Sequence, residues 1–407
     1  MQGWPIVHRC QRACAKTTVA VSPDPDLNQL IDGRRVVLCV GCGGVGKTTT
    51  CAALGLAAAR HGKRVLCLTI DPARRLAESL GIEHFKTEAQ LIDPQVFADA
   101  ELEISGSLTV MMLDTKRTFD SLVSTLAKSA EKRDWIFGNL LYKYISETIA
   151  GTQEYMAMEK LYAVKDDPRY DIVLLDTPPT SHALEFLDAP QRLVDGVDSP
   201  AVRWLIKAFR KSDGLSFNLL QRSAATILKG MGRITGGTFL EQMALFISEV
   251  NELFGGWRAR ADEVSTALRG PEVAYVLITT PDPMPIREVL FFAERLKEQQ
   301  MHPDAYVVNR MHDVAGELGD LEAIGAAASR HGLELSEGTI KRIGEAAQEE
   351  KRQGELDRLH LVALDEVFSH VGAESKPPTV AYVPDFPREI HDLRRLVWVA
   401  EAIAPTS

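Results

Sequence analysis

Residues 36–54 read VVLCVGCGGVGKTTTCAAL, and this stretch decides the fold class. An apolar run rich in valine is followed by GCGGVGKT and then by an alanine-rich segment. A strand, a glycine-rich loop and a helix in this order are the context in which G-x-x-x-x-G-K-[ST] forms a phosphate-binding loop. The sequence therefore predicts a nucleotide-binding P-loop at residues 41–49.

The residues expected to bind a nucleoside triphosphate form one contiguous set. Glycines let the backbone N–H groups point at phosphate oxygens, and the helix N-terminus adds positive potential there. The lysine reaches the β- and γ-phosphates, and the hydroxyl that follows it is placed to hold Mg²⁺. The expected nucleotide contacts are Gly41, Cys42, Gly43, Gly44, Val45, Gly46, Lys47, Thr48 and Thr49, with Lys47 also catalytic and Thr48 also a metal ligand.

Short β-branched runs alternate with longer helical segments along the chain. Such alternation is typical of an α/β fold, here a P-loop NTPase with a mostly parallel, twisted sheet and helices on both faces. The predicted strands are Arg35–Val40, Arg64–Thr69, Leu108–Leu113, Tyr170–Leu175, Val273–Thr279, Ala305–Val308 and Thr379–Val383.

Two gaps between predicted strands are too long for simple crossovers. Both are helical in pattern, so we expect helical insertions at about 114–168 and 191–270 of a single ATPase domain that covers residues 34–403. Residues 1–33 are expected to be a disordered N-terminal extension. The charged helical pattern over 312–370 predicts a solvated face.

Two aspartates follow predicted strands. Asp176 ends the buried run YDIVLLD, at the carboxyl edge of the sheet where ligands of open α/β folds bind, and is expected to act on the Mg²⁺ shell. Asp71 lies just past the second strand, in LTIDPARRL. It is either the carboxylate that orients or deprotonates the attacking water or the N-cap of the helix that follows.

Composition excludes several function classes. The net charge of −10 argues against a general nucleic-acid binder, whose affinity needs a concentrated basic surface. No apolar run approaches the length of a membrane-spanning helix, so stable membrane insertion is not expected. All six cysteines fall at or before Cys67, which suggests a reducing, cytoplasmic location.

The motifs GGVGKTTT, DPARR, DTPPTSHALEFLDAP and VVNRM occur in this order, and in them the chain resembles the ArsA family of deviant-Walker ATPases. That family includes arsenite-efflux ATPases and the ATPases that carry tail-anchored membrane proteins. The resemblance covers residues 34 to about 403. It implies ATP and Mg²⁺ as cofactors, and a dimer that opens and closes with nucleotide state.

The resemblance also implies roles for single residues. Asp71 matches the water-activating aspartate of switch I. The residues that match switch II are Asp176, Thr177, Pro178, Pro179, Thr180 and His182. Asn309 matches the asparagine that reads adenine, and Val383 and Pro384 lie in a stretch that resembles the loop lining the base.

Three departures from the family pattern help to distinguish which members of the family the chain resembles. Because no cysteine follows Cys67, neither the metalloid-binding cysteine trio nor a zinc clasp is expected, and no zinc cofactor is predicted. The chain has one P-loop, so a dimer would have to supply the second. The second insertion offers only Met231 and Met243, fewer methionines than a client-binding groove uses, so a protein client is possible but not favoured.

Cys42 occupies the position of the lysine that in deviant-Walker dimers reaches the partner's phosphates. A neutral thiol cannot supply that charge, so hydrolysis is expected to be slow. The cysteine is tolerated in a slow homodimer, or the chain pairs with a lysine-bearing paralogue, or a nearby cation such as Arg74, Arg75 or Lys116 substitutes. A redox role for the thiol is a fourth reading.

The function predicted from the sequence is therefore a dimeric, Mg²⁺-dependent ATPase whose nucleotide state controls a helical partner-binding surface. One alternative is a carrier of membrane-protein clients with slow hydrolysis. Another is a positioning ATPase of the ParA and MinD kind, for which the C-terminal REIHDLRRLVWVAEAI would be a membrane-binding amphipathic helix. A packing helix is the preferred interpretation of that segment.

Overall fold

The computed structural model describes residues 27–70, 76, 80, 88–139, 142, 152–178, 188, 189, 195, 246, 256–312, 321–371 and 378–405. Within them eight strands form one sheet of order β3-β4-β2-β5-β1-β6-β7-β8, parallel except for the antiparallel pair β3 and β4. The strands are β1 (Val36–Gly41), β2 (Arg64–Thr69), β3 (Gln90–Leu91), β4 (Ser107–Met112), β5 (Ile172–Asp176), β6 (Val273–Thr279), β7 (Ala305–Met311) and β8 (Thr379–Pro384). The α/β fold class predicted from the sequence is confirmed.

The described helices lie on both faces of the sheet. They are α1 (Asn28–Gly33), α2 (Lys47–Arg60), α3 (Pro94–Asp99), α4 (Thr115–Leu126), α5 (Ala130–Gly138), α6 (Thr152–Lys165), α7 (Pro283–Glu298), α8 (Leu321–Arg330), α9 (Glu337–Val371) and α10 (Leu393–Ile403). Residues 256–268 are also helical.

The central strands β1, β5 and β6 are buried along their whole length. Strands covered by helices on both faces carry continuous apolar runs, which is why these segments are rich in valine, leucine and isoleucine. Their carboxyl ends meet at one edge of the sheet. The P-loop and the end of β5 are placed together there.

Helix α2 packs tightly against the sheet because its buried face is built from small residues. Gly55 lies so close to the Cys67 side chain of β2 that a Cβ at this position would overlap it. Helix α10 covers α2 from outside through Leu396, Val399 and Ile403. This close packing fixes the helix that follows the P-loop.

Helices α4, α5 and α6 lie between β4 and β5, where the first helical insertion was predicted. Helix α6 is joined to the helical residues 256–268 by a partly buried ion pair, in which Arg260 Nη2 lies 2.7 Å from Glu159 Oε1. The Arg260 guanidinium also stacks on the Tyr162 ring, at 4.2 Å from its centroid. Most of the second predicted insertion, at about 191–270, lies outside the described residues.

The folded part begins before residue 34. Helix α1 lies within the predicted N-terminal extension, and Leu27 and Ile31 are buried in the core beside α2. A helix of six residues is too short to show a periodic pattern, which is why the sequence placed it in the extension. Residues 1–26 lie outside the described part of the chain.

Candidate nucleotide-binding site

The P-loop connects β1 to α2, as the motif predicted. Two of its glycines are required by the surrounding backbone. Gly46 is the N-cap of α2 with φ of 91°, and a Cβ there would also overlap Nδ2 of Asn309. A Cβ at Gly41 would overlap the carbonyl oxygen of Ile278 on β6. The loop therefore sits too close to β6 and β7 for any larger residue at these positions.

Lys47 begins α2 and is only 8% exposed. Its ammonium Nζ donates to the carbonyl oxygen of Cys42, at 2.7 Å, across the mouth of the loop. The backbone N–H groups at the start of α2 and the ammonium thus converge on the same small space. A polyphosphate is the ligand that this arrangement of donors suits.

Three oxygen-bearing side chains meet beside the P-loop. Thr48 Oγ1 donates to Asp176 Oδ2 at 2.8 Å, and Thr69 Oγ1 donates to the same oxygen at 3.1 Å. Asp176 is 2% exposed, so its carboxylate is held by neighbours on α2 and β2. The structure brings together the two residues predicted from the sequence as metal ligands, Thr48 and Asp176.

These side chains fit Mg²⁺. It prefers oxygen ligands, takes one or two carboxylates from the protein, and completes its shell with waters and substrate phosphates. Thr48 and Asp176 offer a hydroxyl and a carboxylate in contact with each other, next to the loop that would hold the phosphates. A bound Mg²⁺ would neutralise charge on the phosphates and orient them.

The residue after Asp176 is also fixed. Thr177 Oγ1 donates to the carbonyl oxygen of Cys39 on β1, at 2.8 Å. This bond ties the first residue after β5 to the strand that leads into the P-loop. The rest of the predicted switch II, from residue 179 to residue 182, lies outside the described residues.

Asp71 and the nearby Arg74 and Arg75 also lie outside the described residues. The last described residue before them, Ile70, accepts a hydrogen bond at its carbonyl oxygen from Gln153 Nε2, at 3.3 Å. The start of α6 therefore packs against the end of β2. The role predicted for Asp71 remains a prediction.

The predicted base site lies at the ends of β7 and β8. Asn309 Nδ2 donates to the carbonyl oxygen of Val45, at 2.9 Å, so this side chain links β7 directly to the P-loop. Pro384 is exposed at the same edge, whereas Val383 is fully buried. Of the two β8 residues predicted to line the base, only Pro384 presents its side chain at the surface.

Cys42 is buried near charges of both signs. It is 7% exposed, and burial together with the carboxylates of Glu288 and Asp282 raises its pKa, while Lys47 acts in the opposite direction. A raised pKa leaves little thiolate at neutral pH, which does not support the redox reading. Lys116, one of the cations proposed to replace the missing lysine, is paired with Asp120 at 2.7 Å.

Sequence reasoning missed three residues of this site. Thr69 was seen only as the end of a strand, although the register of β2 and β5 sets it beside Asp176. Aligning the polar ends of adjacent strands would have revealed it. Asp282 and Glu288 carried no signal in the sequence, because their approach to Cys42 depends on how α7 packs after β6.

Fold and site together define a nucleotide-binding protein of the P-loop class. The profile of the anion-transporting ATPase family, ArsA, matches residues 34–317. The chain belongs to this family.

Curated relatives are similar over most of the chain. The ATPase GET3 of Paracoccidioides lutzii is 27% identical over 305 residues, which cover 74% of this chain and 80% of the relative. The ATPase GET3 proteins of Ajellomyces dermatitidis and Blastomyces gilchristii are each 26% identical over 299 residues, which cover 71% of this chain and 77% of each relative.

The described residues contain no helix that is both long enough and apolar enough to cross a membrane. Nor do they contain a group of three or more histidine, cysteine, aspartate or glutamate side chains arranged to hold a metal ion.

Proposed function

We propose that the chain binds ATP with Mg²⁺ at the P-loop and hydrolyses it, and that the nucleotide state controls a dimer and a helical partner-binding surface. The observation that carries this proposal is the contact of Thr48 and Asp176 beside Lys47. It assembles a phosphate-binding loop, a cation and two oxygen ligands at one edge of the sheet. Membership of the ArsA family supports the same activity.

In this proposal each side chain of the site has its own role. Lys47 turns from the Cys42 carbonyl to the β- and γ-phosphates, and Thr48 and Asp176 hold the Mg²⁺ shell. Asp71, which follows the end of β2, orients the attacking water. Asn309 reads the adenine, since one amide can pair with both hydrogen-bonding atoms on an edge of that base.

The test is ATP turnover of the purified chain with and without Mg²⁺, for wild type and for two matched variants, one at each end of β5. Asp176→Asn removes the charge at the site and should lower turnover by about 100-fold. Asp171→Asn removes a charge at the other end of β5, where Asp171 pairs with Arg64 at 2.6 Å, and should leave turnover unchanged. Equal turnover in all three proteins would exclude this site.

We further propose that the working unit is a dimer, because one chain supplies one P-loop and Cys42 supplies no charge to a partner. A lysine-bearing paralogue would provide the cation that Cys42 lacks. Mass measurement in solution with and without Mg²⁺ and ATP tests the dimer. A monomer under both conditions would contradict it.

The similarity to ATPase GET3 proteins supports a second candidate, the carrier of membrane-protein clients with slow hydrolysis. We propose it as the output of the same ATPase cycle in a cytoplasmic protein. Binding of a synthetic apolar helix, with and without ATP, tests it. Capture that does not depend on nucleotide would argue against a nucleotide-controlled surface.

The positioning-ATPase alternative has less support. Helix α10 buries Leu396, Val399 and Ile403 against α2, and its Trp398 is the exposed apolar side chain. An amphipathic helix binds a membrane through its apolar face, and here that face is already covered by protein. The packing interpretation of the C-terminal segment therefore fits the structure.

A further inference from the structure

Strand β7 ends in a β-bulge at the predicted base site. Val308 pairs with Tyr382 and Met311 pairs with Pro384, so three steps along β7 correspond to two steps along β8. The extra residue belongs to the pair Asn309 and Arg310. Bulges beside binding sites redirect side chains, and this one lies next to the residue that contacts the P-loop.

Arg310 takes the strained position of the bulge. Its φ is 60°, in the left-handed region, and its backbone N–H donates to Asn309 Oδ1 at 3.0 Å. Glycine adopts this conformation at no steric cost, whereas a residue with a Cβ is destabilised there. An arginine at this position makes the fold less stable than a glycine would.

No protein contact of the Arg310 side chain offsets this cost within the described part of the chain. The side chain is exposed, and it has neither a hydrogen bond nor an ion pair with those residues. Residues with strained backbone cluster at active sites and ligand-binding segments, where the strain is part of the mechanism. The position of Arg310 between Asn309 and the end of β8 indicates which ligand.

We propose that Arg310 contacts the base of the bound nucleotide, with its guanidinium plane stacked on the purine beside Asn309. This inference rests on the proposed binding of ATP. The phosphates belong over β1 and the start of α2, and β7 lies two strands from β1, about 10 Å away at the usual strand spacing. A guanidinium stacks well on aromatic rings, whereas an ammonium has no plane to stack.

The test compares Arg310→Gly with Gln300→Gly. Gln300 has nearly the same φ, 62°, and is exposed, but it follows α7 at the opposite edge of the sheet. Both variants should raise the melting temperature by about 1–3 °C, since glycine relieves the strain. Only Arg310→Gly should weaken ATP binding, by about tenfold. Inorganic tripolyphosphate, which has no base, should bind equally well to all three proteins.

Arg310→Lys separates charge from stacking. It keeps the charge and the strain but has no planar group, so its affinity for ATP should fall to nearly that of Arg310→Gly. Full affinity in the lysine variant, or a parallel loss of tripolyphosphate binding in the glycine variant, would overturn stacking on the base. Unchanged ATP affinity in Arg310→Gly would overturn this inference alone, whereas a wild type that binds no ATP would overturn the proposed function as well.

Discussion

Thr48 Oγ1 donates to Asp176 Oδ2 at 2.8 Å, although 128 positions separate the two residues in the chain. Parallel pairing of β1 with β5 sets Cys39 beside Asp176, and the P-loop then returns Thr48 to the same place. The hydroxyl and the carboxylate are therefore positioned by the fold itself.

Removing the Thr48 hydroxyl at constant shape should abolish most of the activity. Thr48→Val keeps the branched side chain and should lower Mg²⁺-dependent ATP turnover by about 100-fold, because a metal ligand is lost. Thr48→Ser keeps the hydroxyl and should stay close to wild type. Turnover measured over a range of Mg²⁺ concentrations checks both, and similar losses in the two variants would indicate a packing effect instead.

A methyl group at Gly46 should destroy nucleotide binding. In Gly46→Ala the added Cβ is strained by the left-handed backbone conformation of this position, and it also overlaps the Asn309 amide. Either the loop or the contact with β7 must therefore move. ATP affinity should fall by more than about 100-fold.

Gly62→Ala is the matched control for this change. Gly62 also has a positive φ, 81°, but the nearest atom to an added Cβ is at an ordinary distance, 3.9 Å. This variant should lose about 1 kcal/mol of unfolding free energy and keep its ATP affinity. Full ATP binding by folded Gly46→Ala would show that the loop is not held as described.

Restoring a lysine at position 42 should speed hydrolysis. A lysine here would supply the charge that in deviant-Walker dimers reaches the partner's phosphates, and the carboxylates of Asp282 and Glu288 would offset the like charge of Lys47. Cys42→Lys should therefore fold normally and turn over ATP at least about tenfold faster in a dimer. Cys42→Met lengthens the side chain without adding a charge, so it should not speed ATP hydrolysis.

Either of two results would contradict this expectation. If wild type already turns over well as a dimer and Cys42→Lys changes nothing, another cation supplies the charge. If Cys42→Met accelerates turnover as much as Cys42→Lys, side-chain size and not charge is limiting.

Stability should depend on pH through His312, which joins the end of β7 to α9. Its Nδ1 lies 2.8 Å from Asp357 Oδ2, and this hydrogen bond, with the nearby Glu350 and Asp385, raises the pKa of His312 above its ordinary value of 6.5. Because the pKa of His312 is higher in the folded protein than in the unfolded chain, protonation of this side chain stabilises the fold. The stabilisation is fully present below the pKa of the unfolded chain, and it is lost as the pH rises through the pKa of the folded protein.

The measurement is the melting temperature of wild type and His312→Gln from about pH 5.5 to about pH 8.5. The glutamine variant keeps a hydrogen-bond donor but cannot be charged, so the gap between the two proteins should be widest at low pH and should shrink as pH rises. A constant gap would show that the proton plays no part.

The sheet could be predicted from the sequence because its central strands are continuous apolar runs with polar ends. All seven predicted core strands were found, within a few residues of their expected bounds. The edge strand β3 was not predicted, since two residues carry no periodic pattern. Helix α1 was missed for the same reason.

The site could be predicted in part. The P-loop and Asp176 are recognisable because local motifs define them, and Asn309 because of the family resemblance. Thr69, Glu288 and the bulge at Arg310 depend on strand register and helix packing over long sequence separations. No local pattern encodes such contacts, so they emerged only from the structure.

The most direct measurement is phosphate release from ATP by the purified chain with Mg²⁺ and with excess chelator, next to ATP binding, for wild type and Asp71→Asn. The proposed function predicts Mg²⁺-dependent release by wild type, and an Asp71→Asn variant that binds ATP but does not hydrolyse it. Retained turnover in that variant would return Asp71 to the role of a helix cap. No release by wild type under any condition, alone or with a lysine-bearing partner, would contradict the claim that this chain is an ATPase.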